Sequence, residues 1–165
     1  MIHGLLPVVG GWMYQHKAKS GAIRTGEEEV VARIRSPGYL IRVSALLEGN
    51  LDAKYVKLRV TLDGPRSPFP MEFAPHDVEV PGYLGHANFG AFTTLYSDED
   101  MKYSVVICPC RPVPFAEELE VRLIAPSQPV EESTAVSTDY VVEYTVIRIT
   151  DVRRFRADLR AVLGR

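Results

Sequence analysis

Residues 56–62 read Val56, Lys57, Leu58, Arg59, Val60, Thr61, Leu62, apolar and polar in strict turn, and the run stops at Asp63-Gly64. Successive side chains of a strand point to opposite faces, so this segment has one dry face and one wet face. The same alternation recurs at Leu119, Val121 and Leu123 against Glu118, Glu120 and Arg122, and at Ala32 and Ile34 against Arg33 and Arg35. A chain patterned this way is expected to fold as an all-β body of two sheets whose outer faces meet water.

Eight strands are expected near 28–35, 39–48, 54–63, 69–74, 90–96, 102–108, 117–124 and 135–149. The joints between them are rich in turn residues: Ser36-Pro37-Gly38, Gly49-Asn50, Asp63-Gly64-Pro65, Ser97-Asp98-Glu99-Asp100 and Pro126-Ser127. Short strands at such spacing predict an antiparallel β-sandwich or jelly roll over 28–149. At 165 residues the chain is long enough for one domain with its own core.

The two ends do not share the rhythm. Residues 1–27 have neither helical period nor alternation and are punctuated by glycines, so they read as an extended N-terminal arm. Leu5, Leu6, Val8, Val9, Trp12 and Tyr14 make that arm apolar, and it is expected to bury itself on its own body or on a neighbour. At the other end Val152, Phe155, Leu159 and Val162 recur at spacings of three and four. They form one stripe of a short helix over 150–165, with Thr150 or Asp151 as N-cap and arginines on the remaining surface.

Charge follows the same division. Lys17, Lys19 and Arg24 face no acid within 1–24, and five arginines outnumber Asp151 and Asp158 within 151–165, whereas the stretch between is acidic. Basic ends could attach to the acidic body of another copy. A net charge of −2 gives no reason to expect direct nucleic-acid binding. The apolar stretch 4–13 is broken by proline and glycines and is too short to span a bilayer, so neither a membrane partner nor a secretory leader is expected. Synthesis in a reducing cytoplasm is the expectation. Cys108 and Cys110, the only cysteines, flank a single proline and read as thiols at a strand end.

A search for chemistry yields little. His76-Asp77 and His86 share a long loop at 75–90, but no activated nucleophile and no converging ligand set accompanies them. The acidic tip Asp98, Glu99, Asp100 lacks the glycine and ligand spacing of a calcium loop. Gly82, Gly85 and Gly90 fit no phosphate-binding pattern. No catalytic residue, metal or cofactor is therefore expected, and the chain reads as a non-enzyme. Tyr140, Val142, Tyr144 and Val146 share one strand face and read as sheet packing.

The run Ser36-Pro37-Gly38-Tyr39-Leu40-Ile41-Arg42-Val43-Ser44-Ala45, with Val56 to Leu62-Asp63-Gly64 after it, resembles accessory β-sandwich proteins of virus particles, of the tailed-phage capsid decoration and minor structural type. Val113-Pro114-Phe115 leading into Leu119-Glu120-Val121 is similar to the same proteins. The resemblance spans about 36–124 and implies no catalytic residues. It implies a virion structural protein, made in the host cytoplasm, that forms a homo-oligomer and contacts other virion proteins. Partner contacts are expected at Leu5, Leu6, Val8, Val9 and Trp12 in the arm and at Arg153, Phe155, Arg156, Leu159 and Arg160 at the end. The alternative is a carbohydrate-binding module, with Trp12, Tyr83, Phe89 and Tyr96 as aromatic candidates for a glycan.

Overall fold

The computed structural model describes residues 12–64, 71–78, 84–86, 89–109, 112–151, 153 and 156; for Trp12, Val78, 84–86 and 89–94 it describes the backbone alone. In chain order the strands are β1 (Trp12–Arg24), β2 (Glu28–Ile34), β3 (Gly38–Glu48), β4 (Lys57–Leu62), β5 (Met71–Phe73), β6 (Leu84–His86), β7 (Phe89–Ser97), β8 (Lys102–Ile107), β9 (Val113–Phe115), β10 (Leu119–Ile124) and β11 (Ser137–Ile149). They form a wide antiparallel sheet in the order β1-β11-β3-β8-β7-β6, with β9 on the start of β3. A narrow sheet has the order β2-β10-β4-β5.

Alternation in the sequence becomes alternation in burial. Leu58, Val60 and Leu62 on β4 and Leu119, Val121 and Leu123 on β10 are buried, and the residues between them are not. They meet Leu40, Val43, Ala45 and Leu47 of β3 and Tyr140, Val142, Tyr144 and Val146 of β11 in one core shared by both sheets. The tyrosine-valine face of β11 is thus core.

Sequence reading and structure differ most at the N-terminal arm. Residues 12–24 are not an arm but β1, paired with β11 in continuous register from Trp12↔Ile149 to Arg24↔Ser137. The alternation is invisible there because the narrow sheet meets β1 only toward its end, where Ile23 is buried in the core and Lys19 reaches Glu29 of β2. From Met13 to Arg24 only Gln15 and Ile23 escape full exposure, so no contrast between faces is written into the residues. Gly21 has its own role. A Cβ there would lie 2.7 Å from the Tyr140 hydroxyl, so its absence lets Tyr140 cross β1. The Tyr140 hydroxyl then donates to Glu29 on β2 at 2.8 Å, and Lys19 Nζ donates to the same carboxylate at 2.8 Å.

Two smaller differences concern the loop 75–90 and the strand expected from residue 54. Residues 75–78 form a 3-10 turn, and 84–86 form β6, which pairs with β7. Residues 51–55 form a second 3-10 turn, and β4 begins only at Lys57. Among the described residues, no helix is long and apolar enough to cross a membrane.

Candidate interaction surface

The most elaborate polar cluster lies at one end of the body and is built around a buried lysine. Lys54 is 4% exposed, in the 51–55 turn. Its Nζ is 3.0 Å from Asp98 Oδ1 and 2.7 Å from Glu131 Oε1, and it lies over the rings of Tyr55 and Tyr96 at 5.7 and 6.0 Å from their centroids. The Tyr103 hydroxyl donates to Asp98 at 2.6 Å, and the Tyr55 hydroxyl to Glu131 at 2.7 Å. Beside it Asp52, also buried, accepts the backbone N–H groups of Val130, Glu131 and Glu132 at 2.9, 2.7 and 3.1 Å.

The electrostatics make this cluster a fastening, not a reactive centre. Burial alone would push the Lys54 ammonium down, but the carboxylates of Glu131 and Asp98 outweigh it and hold the amine above its usual range. A lysine held charged is no nucleophile. The hydrogen bond to Glu131, with burial, pushes the Tyr55 phenol up to about 12. Burial, followed by Asp98, pushes the Tyr103 phenol up as well. The acidic tip is therefore partly an anchor: Asp98 serves Lys54 and Tyr103, and only Glu99 and Asp100 remain for solvent and the local turn.

The described side chains of the histidine loop, His76 and Asp77 among them, assemble no site either. The Asp77 carboxylate accepts the backbone N–H of Ala74 at 2.8 Å, and the exposed His76 ring packs tilted at 47° against Tyr55 with centroids 4.7 Å apart. Among the described residues no group of three or more His, Cys, Asp or Glu is placed to hold a metal ion. Cys108 is an exposed free thiol just beyond β8, and Cys110 lies outside the described residues.

The outer faces of the two sheets remain, and they differ. On the narrow sheet Arg33 pairs with Glu120, Arg122 with Glu120 at 3.0 Å and Glu28 at 2.9 Å, Arg59 and Lys57 with Glu72, and Arg35 with Glu118 at 3.2 Å. On the wide sheet register places Ala18, Ser20 and Ala22 of β1 beside Glu143, Val141 and Asp139 of β11. Those lie beside Ser44, Leu46 and Glu48 of β3, with Val106, Ser104 and Lys102 of β8 next. Small residues among larger apolar ones leave a shallow hollow of about 220 Å³ between Arg42, Ser44, Leu46, Val106, Val141 and Glu143. Val141 and, further along the face on β7, Leu95 are exposed at 36% and 40%. Among the described residues Glu48–Lys102, at 3.8 Å, is the one ion pair between these strands, and Arg42, Asp139 and Glu143 make none.

The expected contact residues are distributed unevenly. Trp12 opens β1, where the neighbouring Met13 and Tyr14 are exposed at 43% and 60%. Arg153 and Arg156 have helical backbone and are exposed. Leu5, Leu6, Val8, Val9, Phe155, Leu159 and Arg160 lie outside the described residues. Of the aromatic residues considered for a glycan, Tyr83 lies outside them too. Phe89 is the first residue of β7, and Tyr96 is half-buried, edge-on to Tyr103 at 5.2 Å. Sequence reasoning missed the Arg42–Glu143 hollow. Its signal was Val141, an apolar residue out of phase with the core-facing Tyr140 and Val142. No protein-family model and no curated protein matches the chain.

Proposed function

We propose that this chain is a non-enzymatic structural protein that self-assembles and packs against neighbouring subunits, of the virion accessory type: capsid decoration, cement, or a minor capsid or tail component. In this reading the two sheets form a jelly-roll sandwich and 150–165 form the basic amphipathic helix. The body is a rigid block, and its partners are further copies and other virion proteins. The observation that carries the proposal is the unequal dressing of the two outer faces, one saturated with ion pairs and the other bearing exposed Val141 and Leu95 with unpaired charges. A face left apolar and incompletely paired fits a contact surface better than a solvated one.

The terminal segments extend the same logic. Leu5, Leu6, Val8, Val9 and Trp12 would supply apolar anchors, and Arg153, Phe155, Arg156, Leu159 and Arg160 a stripe of one buried edge and basic flanks. The test is sedimentation of the native gene product from its source. Co-sedimentation with particles, together with concentration-dependent oligomers of the purified chain, supports the proposal. A product found only free and monomeric at high concentration overturns it.

A further inference from the structure

We infer that the outer face of the wide sheet, centred on the hollow between Arg42 and Glu143, is a two-fold contact whose occupant is the same face of a second copy. The inference rests on the assembly reading above and names the surface and geometry it would use. Arg42 pairs in register with Thr145, and Glu143 with Ser44, so the two charges sit diagonally, one strand and two residues apart. Such diagonal positions are ~7–8 Å apart, and the two side chains form no ion pair with each other or with any other described residue. A two-fold axis lying in the plane of the contact and bisecting that diagonal sets Arg42 of each copy over Glu143 of the other. The face is therefore self-complementary around one cation, one anion and the apolar side chains of half-buried Leu46 and exposed Val141, over a floor in which Ser104 and Val106 are already buried. An isologous interface requires this arrangement, in which residue i meets j and j meets i.

The other faces are less suited to a second copy. The narrow sheet's charges already satisfy one another, so approach of another protein would have to break those pairs. β1, an edge strand of the wide sheet among the described residues, is guarded: centring an antiparallel pairing of two copies on Ala18 sets Lys17 of one against Lys19 of the other. Like charges directly opposite destabilise a strand pair, and lysines on an edge are a common protection against such pairing.

The test uses the full chain with Arg42→Glu, Glu143→Arg and Val141→Lys, all at exposed positions. Circular dichroism melts establish that each variant folds, and sedimentation velocity over a concentration series reads association. The wild type is expected to dimerise, and each single charge reversal to weaken the dimer roughly tenfold or more, since like charges then meet twice. Mixing R42E with E143R in equal amounts is expected to restore dimers near wild-type strength, because in the mixed pair both contacts again join opposite charges. A pair formed within one copy would give no such rescue on mixing. If the wild type oligomerises and R42E, E143R and V141K leave that unchanged, the face assignment is overturned while the assembly reading stands. If the wild type is monomeric at every concentration, this dimer is overturned whether or not the chain co-sediments with particles.

Discussion

The narrow sheet and the wide sheet bury equivalent inner faces, but their outer faces were completed differently. On the narrow sheet the charged strand positions pair with opposite charges on neighbouring strands, as in Arg33–Glu120 and Lys57–Glu72, except Glu29, whose partner is Lys19 of β1. On the wide sheet the corresponding positions carry alanine, serine, valine and leucine, with Arg42, Asp139 and Glu143 left over. Both arrangements follow from period-two alternation, because alternation fixes only which side chains leave the core. What the outward residues then do is a second decision, made by cross-strand pairing. An ion-paired ladder holds its strands and presents water with satisfied charges, whereas a small-residue face presents a surface that another protein can approach.

The largest expected effect tests whether the inner faces are equivalent. Leu58 on the narrow sheet and Leu47 on the wide one are both fully buried in the shared core, so L58A and L47A should each cost about 2–5 kcal/mol in chemical denaturation. A cost confined to one sheet would show that the two do not share a single cooperative core. Next comes Asp52→Ala. It strips an acceptor from three backbone N–H groups at a buried position and should cost about 1–3 kcal/mol, the desolvation penalty of donors left unmatched. If D52A melts like the wild type, the 130–132 segment is held by something other than this carboxylate.

Acid should separate the faces. The Arg33 hydrogen bond lowers the Glu120 carboxyl below its usual 4.5, and at Glu72 burial is the largest single influence and raises the carboxyl, but the Arg59 and Lys57 contacts together outweigh it. A carboxylate with a lower pKa in the folded protein stabilises fully above its unfolded value. That contribution is lost as pH falls through the lower folded value. Stability should therefore hold down to about pH 4.5 and decline below it, and Glu120→Gln should flatten the decline. An unchanged pH profile for E120Q would mean that the ladder on the narrow sheet is cosmetic. The smallest effect belongs to the wide sheet: Val141→Thr should shift monomer stability by less than about 0.5 kcal/mol, read from thermal melts at low concentration. A larger loss would place Val141 within the fold itself and remove it from the contact face.

How much of this was legible depends on where each residue's partners lie. β3, β4, β10 and the first half of β11 were readable because each has one dry and one wet face, so the contrast is local. β8, buried on both faces from Tyr103 to Ile107, was readable instead as a short apolar run. β1 was not, since Lys17, Ala18, Lys19 and Ser20 are wet on both sides and only the pairing with β11 makes them a strand. β6 and β9, three residues each, are too short to carry a period. The Lys54 cluster was unreadable for another reason: Asp98 lies 44 residues away in sequence, and a buried lysine looks like a surface one until its partners converge. Asp63 shows the middle case. Asp-Gly announced a turn, and both residues do adopt positive φ, at 56° and 82°. That the Asp63 carboxylate also gathers the N–H groups of Ala116, Glu117 and Glu118 could not be seen locally.

The pairing of β1 with β11 also sets a timetable. His16 and Thr145, hydrogen-bonded neighbours across that pair, are 129 residues apart. At synthesis rates of 5–20 residues per second, β1 would wait roughly 6–26 s for its partner to be made. Through that interval it is a strand-forming segment with no strand to join, the condition in which nascent chains find one another. Lys17 and Lys19 repel such encounters, and the wide exposure of β1 in the finished body reflects residues that had to be safe in water before they were useful in the sheet.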